Sequence, residues 1–246
     1  MKIKLFVTLL IITLPMVVFS AQADKEFPTW DEGIFAEVAK RHGEEASARL
    51  RDIYQFMIVH LNDPVEEQLE AVNDYMNELT WIADSDLWKQ PDYWATPFET
   101  ITTFGGDCED IAIAKYVVLR LMGIPDKQMG FAHVFTSQKQ SHMVLIYKAS
   151  EKEEALILDN QDPDVRTARD RSDLIAVYVF QNDGTVFLIK DQGRGKRELK
   201  STLENKRIKK WLTAKERAKS NTDSFIPFNE GRSLMPTWIE DGNKTK

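Results

Sequence analysis

Cys108 is the one cysteine of this 246-residue chain and the side chain best suited to covalent chemistry. It lies in the run Gly105-Gly106-Asp107-Cys108-Glu109-Asp110, which opens an apolar stretch that continues with a helical pattern to about Met122. The free amides and the dipole of a helix N-terminus stabilise a thiolate, and the same amides can receive an oxyanion. The two glycines would let a substrate backbone come close. Because no internal disulfide can form, the thiol is a buried structural group, an intermolecular link or a nucleophile.

A nucleophilic thiol needs a base, and a third group must orient that base. The chain has four histidines: His42, His60, His133 and His142. The first two lie in helical sequence, where packing is the default role. His142 opens a predicted strand and Asp159 ends the next one, and a tight turn near Ser150 would set the two residues directly opposite each other. Asp159 would then select the imidazole tautomer of a general base. A one-residue slip would instead leave a solvent-facing Asp beside an ordinary histidine.

Three carboxylates crowd the cysteine, and their negative charge should raise the pKa of its thiol. They are Asp107, Glu109 and Asp110. A bound cation would remove this conflict, and hard oxygen ligands suit Ca²⁺ rather than Zn²⁺. The spacing is not that of an EF-hand loop. The alternative is helix capping, because acidic residues are common in a first helical turn.

The elements that must position these residues change in type along the chain. Apolar spacing predicts helices over Glu44–Leu61 and from Asp63-Pro64 to Leu79, with Asp63 as the cap of the second. The cysteine helix, Cys108–Met122, is apolar on most sides and therefore predicted to be buried. Short β-branched and aromatic segments follow near residues 128–136, 142–148, 155–159, 175–181 and 185–190. Helices followed by an antiparallel sheet indicate an α+β fold.

The first 23 residues have the pattern of an export signal. Lys2 and Lys4 precede an apolar run from Leu5 to Phe19, and Ala21-Gln22-Ala23 is a small-x-small cleavage site. The run is shorter than the ~20 residues that span a bilayer, although an uncleaved anchor is the alternative. We therefore expect cleavage after Ala23 and a single exported domain over residues 24–246.

Composition excludes several classes of protein. Hydrophobic residues make up 43% and charged residues 29% of the chain, so it is neither disordered nor collagenous, and a net charge of −7 does not draw it to nucleic acid. The tail differs, because residues 190–219 hold 12 Lys and Arg against 4 Asp and Glu. Four apolar residues predict a tail helix that docks on the body with its basic face outward: Leu203, Ile208, Trp211 and Leu212. The basic face would be solvated or would contact an acidic partner or a membrane surface.

Several motifs together resemble the bacterial transglutaminase-like cysteine proteinases of the LapG type. They are Tyr93-Trp94-Ala95-Thr96-Pro97, the run Gly106-Asp107-Cys108-Glu109-Asp110 with the following Ile111-Ala112-Ile113-Ala114-Lys115-Tyr116, His142-Met143-Val144-Leu145, and Leu158-Asp159-Asn160. The resemblance covers roughly residues 74–188. It implies a papain- or transglutaminase-like α+β fold, a Cys108–His142–Asp159 triad and calcium bound by Asp107 and Glu109, with Asp110 a further candidate ligand.

The resemblance also implies a biological setting. Such proteins are periplasmic, calcium-dependent proteases that cut the N-terminal region of a large surface adhesin at a dialanine site, which releases the adhesin and promotes biofilm dispersal. An inner-membrane receptor that senses cyclic di-GMP sequesters them. Two other functions stay open on the residues alone. One is acyl transfer or cell-wall peptide amide hydrolysis by the same triad, and the other is a non-catalytic calcium- or receptor-binding module.

Overall fold

The computed structural model describes residues 27–188, 197–199 and 206–220 of the chain. The predicted leader and Leu203 lie outside these ranges. Most helices precede the strands of the main sheet, so the predicted α+β class is confirmed. The helices are α1 Glu32–His42, α2 Glu44–His60, α3 Val65–Asn77, α4 Asp84–Leu87, α5 Pro97–Thr103, α6 Cys108–Leu121 and α7 Lys206–Ser220. The strands are β1 Thr80–Trp81, β2 Gly105–Gly106, β3 Met129–Thr136, β4 Ser141–Tyr147, β5 Leu156–Leu158, β6 Arg166–Thr167, β7 Leu174–Phe180, β8 Val186–Leu188 and β9 Arg197–Leu199.

Helices α2 and α3 lie where the apolar spacing predicts them, and their apolar stripes form part of the main core. The buried members are Leu50, Ile53, Tyr54, Met57, Leu69, Val72, Met76 and Leu79. The predicted cap of α3 is wrong. Pro64 takes the N-cap position, and Asp63 instead places its Oδ2 2.7 Å from Nδ1 of His60.

Helix α6 is the buried centre of the molecule, as its composition predicts. It packs against α3, α5 and β4, and Ile113, Ala114 and Leu119 are fully inaccessible to solvent. The helix begins at Cys108 as predicted. Its end is marked by Gly123 in the left-handed region at φ 103°, a conformation that glycine adopts without strain.

The main sheet is antiparallel and has the strand order β6-β5-β4-β3-β7-β8-β9. All five predicted strand segments belong to it. The turn 182–184 joins β7 to β8 as predicted, with Gly184 at φ 88° and a hydrogen bond from Gln181 N to Thr185 O. Strand β4 packs on α6, and Phe131 of β3 contacts Tyr116 of the same helix.

The pairing of β4 with β5 differs from the predicted register by two residues. Leu145 lies opposite Leu158, so the residue facing Asp159 along this register is Val144 rather than His142. The turn between the strands is centred one residue further along the chain than the prediction assumes. A shift of two keeps every side chain on the same face, so His142 and Asp159 become diagonal neighbours on one face.

Helix α7 docks on the body as predicted, through Ile208 and Trp211, which are both buried. The prediction that its basic face points outward is wrong for several side chains. Lys210 contacts Asp92, Lys215 donates to the carbonyl of Asn182, and two further cations bind the body: Arg207 and Arg217. Four of the seven Lys and Arg side chains of α7 therefore contact the body of the protein. Within the described part of the chain, none of the helices is both long and apolar enough to cross a bilayer.

Candidate active site

Cys108 is the first residue of α6, so its thiol lies among the free amides of the helix N-terminus. The thiol is partly exposed and lies 3.0 Å from Oε2 of Glu109. The sulfur faces the backbone of Met143, the residue after His142, so Cys108 lies beside the start of β4. Burial, followed by the charges of Glu109 and Asp107, raises the pKa of the thiol well above its usual range. The predicted conflict between a nucleophilic thiol and its acidic neighbours is therefore real.

His142 and Asp159 form a buried pair. Nε2 of the imidazole lies 2.7 Å from Oδ1 of Asp159, and the two side chains are 2% and 1% exposed. Burial by itself would raise the pKa of the carboxyl, but the interactions that favour its charged form, first those of His142 and then those of Gln161 and Arg171, together outweigh burial and lower the pKa to about 2. Asp159 is thus an anion that fixes a proton on Nε2, and Nδ1 is the nitrogen left for proton exchange.

Asp159 is held in place by further donors. Arg171, itself buried, donates from Nη2 to Oδ2 of Asp159 at 2.8 Å, and the amide of Gln161 donates to Oδ1 at 2.9 Å. Arg171 also binds Asp173 through Nε and Nη2, at 2.9 Å for both. Both carboxylate oxygens of Asp159 are therefore occupied, and the carboxylate has no freedom to turn away from His142.

The acidic residues around Cys108 form a larger cluster than the sequence indicates. Asp84 and Asp92, from the segment between β1 and α5, join the three predicted residues. The three candidate ligand groups, each with ligand atoms within 4.8 Å of one another, are Asp107–Cys108–Glu109, Asp84–Asp92–Glu109 and Asp84–Asp107–Asp110. The structure thus brings all three predicted metal ligands to one place and adds two.

The loop before α5 shapes this cluster through its backbone. The amide of Tyr93 donates to Oδ2 of Asp84 at 2.6 Å, and the amide of Ala95 donates to Oδ1 of Asp110 at 2.7 Å. The remaining oxygen of Asp84, Oδ1, is buried without a hydrogen-bond partner, and so is Oδ1 of Asp107. Buried carboxylate oxygens without donors are costly. Two such atoms in one oxygen-rich cluster fit a hard divalent cation such as Ca²⁺.

The pKa values of the cluster report the same crowding. Burial, then the charges of Glu109 and Asp110, raises the pKa of Asp107 to about 10. Burial also raises the pKa of Asp84 to about 6 and that of Asp110 well above its usual range. Without a cation the cluster must therefore hold protons to lower its charge.

The two glycines before Cys108 are required by the fold. A Cβ at Gly106 would lie 2.6 Å from Cβ of Asp110, and one at Gly105 would lie 3.0 Å from the carbonyl oxygen of Thr80 in the neighbouring strand β1. The close approach that we expected for a substrate is thus made by the protein itself. Trp94 packs in the core and is 2% exposed.

Sequence reasoning misses Asp84, Asp92 and Arg171. Asp84 starts a helix of four residues, Asp92 lies in a bend, and Arg171 lies in a loop rich in charged residues, so no periodicity marks them. The one available signal is chemical. A crowded set of carboxylates near a predicted cation site needs more ligands than three neighbouring residues can supply.

Helices that precede an antiparallel sheet, with the helix that begins at Cys108 packed against β4, form the α+β architecture of a transglutaminase-like fold. The family model described as bacterial transglutaminase-like cysteine proteinase BTLCP matches residues 34–177. The chain belongs to this family. The match begins well before the region that carries the sequence resemblance and includes most of α1 and all of α2.

Solved structures of LapG from Legionella pneumophila are similar to this chain. One is 28% identical with a TM-score of 0.62, covering 77% of this chain and 98% of the LapG chain. A calcium-bound form is 30% identical with a TM-score of 0.62, covering 75% and 97%. An EGTA-treated form is 28% identical with a TM-score of 0.63, covering 77% and 98%. The transglutaminase-like fold expected from the sequence is thereby confirmed. Among curated protein sequences, none matches this chain.

Proposed function

We propose that the protein is a calcium-dependent cysteine endopeptidase with Cys108, His142 and Asp159 as its triad. The observation that carries the proposal is the buried hydrogen bond between His142 and Asp159, next to a cysteine at a helix N-terminus. A buried aspartate that fixes the proton on Nε2 leaves Nδ1 of the imidazole to act as a base. Membership of a cysteine proteinase family supports the same chemistry.

The reaction divides into acylation of the Cys108 thiol and hydrolysis of the resulting thioester. The sulfur of Cys108 attacks the scissile carbonyl carbon while His142 takes the thiol proton, and the backbone amide of Cys108 helps to hold the oxyanion. The tetrahedral species then collapses, the C–N bond breaks, and His142 returns the proton to the leaving amine. Water activated by His142 hydrolyses the thioester and restores the thiol. Asp159 keeps the imidazole in one orientation throughout.

The acidic cluster would hold the calcium ion. Its members are Asp84, Asp92, Asp107, Glu109 and Asp110. When bound, the ion supplies positive charge that offsets the carboxylates and so favours the thiolate form of Cys108. The calcium-bound and EGTA-treated forms of LapG support this part of the proposal.

For the substrate and the setting we propose the following. The chain is exported by the leader over residues 1–23 and acts in the periplasm. Its substrate is the N-terminal region of a large surface adhesin, cut at a dialanine site, which releases the adhesin and promotes biofilm dispersal. An inner-membrane cyclic di-GMP receptor sequesters it. The likeness to LapG over nearly the whole LapG chain supports this part.

One observation favours the non-catalytic alternative, a calcium- or receptor-binding module. The pKa of Cys108 is raised, which disfavours a thiolate as long as the acidic cluster holds no cation. The two functions therefore predict different reactivity of the Cys108 thiol once Ca²⁺ is added. A catalytic thiol becomes reactive toward iodoacetamide at neutral pH when Ca²⁺ is added, whereas a vestigial thiol stays inert in both conditions.

The experiment combines the purified protein with a purified adhesin N-terminal fragment that contains a dialanine segment. Parallel reactions contain Ca²⁺, a chelator, or Ca²⁺ with a labelled amine. Two fragments in Ca²⁺ alone support the calcium-dependent protease. An amine-labelled product would favour acyl transfer instead, and cleavage that persists in chelator would overturn the calcium requirement. Absence of both products in calcium would overturn the adhesin as substrate.

A further inference from the structure

Lys115 is a lysine in the middle of the apolar helix α6, two turns after Cys108, and it is fully inaccessible to solvent. Burying an ammonium group is expensive, so its surroundings should compensate for the lost water. Both of its hydrogen-bond partners are amide oxygens on α3. Nζ donates to Oδ1 of Asn73 and to Oδ1 of Asn77, each at 2.7 Å.

The lysine determines how these two amides are oriented. An ammonium group can only donate hydrogen bonds, so each asparagine must turn its oxygen toward Lys115 and its NH₂ group away. The NH₂ groups then point at the residues that follow β5, which we call the 159–163 segment. Nδ2 of Asn77 donates to the carbonyls of Asp159 and Asp162, at 3.0 Å for both. Nδ2 of Asn73 donates to the carbonyls of Asp162 and Pro163, at 3.4 and 3.0 Å.

The 159–163 segment carries Asp159, the partner of His142. The side chain of Asp159 is bound by His142 and Arg171, while its backbone carbonyl is bound by Asn77. The chain of hydrogen bonds therefore runs from α6 through α3 to the segment. Burial lowers the pKa of Lys115 to about 7, and the negative charges of Asp159 and Asp74 oppose that change.

We propose that Lys115 is a positioning residue of the active site, which acts through Asn77 to fix the backbone of Asp159 and thereby the imidazole of His142. One helix then supplies the nucleophile at its N-terminus and the anchor of the base two turns later. An apolar side chain at position 115 would satisfy a buried helix equally well, so core packing alone gives no reason for a lysine there. The inference rests on the proposed triad and adds a residue that is remote from the reacting atoms.

The test measures the ring proton that His142 shares with Asp159. The chain has four histidines, so the ring N–H signals in a ¹⁵N-labelled protein are few, and the signal of His142 is assigned from the variant His142→Gln. A proton held between a buried imidazole and a carboxylate resonates far downfield. The second readout is the rate at which iodoacetamide alkylates the single thiol in saturating calcium.

Two asparagine variants form a matched pair. Asn77→Asp and Asn73→Asp each keep an acceptor for Lys115, add one negative charge and lose the NH₂ donor. Only the first loses the bond to the carbonyl of Asp159. We expect Asn77→Asp to shift or abolish the downfield signal and to slow alkylation by about 10- to 100-fold. Asn73→Asp should leave both readouts near those of the wild type.

Lys115→Met should behave like Asn77→Asp, and Val118→Ala is the control for a weakened α6, since Val118 is a buried apolar residue one turn further along. An unchanged downfield signal and alkylation rate in Lys115→Met and Asn77→Asp would overturn the inference. Equal losses in Asn73→Asp or Val118→Ala would overturn it too, because they would indicate a general packing role. If Lys115→Met does not fold, the asparagine pair decides. Failure of the proposed triad is distinguishable, because the wild type would then lack the downfield signal.

Discussion

Removal of calcium should lower the melting temperature of the protein by about 5 to 10 °C. The expectation starts from the ligand oxygens of Asp84, Asp107 and Asp110, which lie within 4.8 Å of one another. Two ionised carboxylates at that distance repel by about 3.5 kcal/mol at an effective dielectric constant of about 20. Three pairs would cost about 10 kcal/mol, which is comparable to the whole stability of a typical domain. The cluster therefore needs a cation or protons.

The size of the shift follows from binding linkage. A ligand present at about 100 times its dissociation constant stabilises the folded state by about 2.7 kcal/mol. For a chain of this size, 1 kcal/mol changes the melting temperature by about 2 to 4 °C, which gives the expected range. The assay is thermal unfolding of the purified protein in about 1 mM Ca²⁺, in the same concentration of Mg²⁺ and in EGTA. We expect a response to Ca²⁺ alone, because Mg²⁺ prefers to keep its waters.

Two variants sharpen this test. Asp107→Asn should abolish the calcium shift and be no less stable than the wild type in EGTA, because the raised pKa of Asp107 means that the carboxyl is already uncharged without a cation. Asp164→Asn changes an exposed carboxylate outside the cluster and should keep the full shift. Equal melting temperatures in calcium and EGTA for the wild type, or a full shift in Asp107→Asn, would refute the assignment of the cation site.

Two further predictions concern stability. Arg171→Met should lower the free energy of unfolding in urea by about 3 to 5 kcal/mol, because it leaves the buried carboxylate of Asp159 without its arginine partner. Arg166→Met removes an exposed cation that pairs with Asp162 and Asp164 and should cost less than about 1 kcal/mol; equal losses would contradict the reasoning. Acidification should destabilise the protein through His133, whose pKa is lowered to about 4 by burial and by the charge of Arg207. Between pH 6.5 and 4, His133 binds a proton in the unfolded chain but not in the folded state. The free energy of unfolding therefore falls as the pH falls, by about 3 kcal/mol in total. Urea unfolding of His133→Phe across this range should show a flatter pH dependence, and an unchanged slope would count against it.

The parts of the fold that follow a local rule are predictable from the sequence. The stripe of α2, the apolar helix that begins at Cys108 and the turn at 182–184 each depend on spacing within a few residues, and the structure has all three. The carboxylates around the cysteine are also local, since three of them are its neighbours in the chain.

Contacts that depend on distant segments are less predictable. The β4–β5 register depends on the geometry of a long connection, and the predicted register is off by two residues. His142 and Asp159 still meet, because an even shift preserves the face. Asp92 and its contact with Lys210 of α7 join parts of the chain more than one hundred residues apart, and no pattern in either segment predicts that they meet.

The contacts of the basic tail are a further example of what the sequence does not predict. A surplus of Lys and Arg in residues 190–219 indicates a positive surface. Arg217 nevertheless donates to the carbonyl of Trp94, on the loop that shapes the acidic cluster, and to Glu99 of α5. Composition records the charge of α7 but not the direction in which each side chain points. That direction follows from where Ile208 and Trp211 dock.

The most direct test of the central claim compares cleavage rates of the adhesin fragment by the wild type and by Cys108→Ala, both in calcium. Cys108 is the one cysteine of the chain, so no other thiol can replace it as the nucleophile. The account predicts that the variant folds, shown by its circular dichroism and melting temperature, and that its cleavage rate falls by at least about 10⁴-fold. A rate within tenfold of the wild type would contradict the account, because the peptide bond would then be broken without the nucleophile.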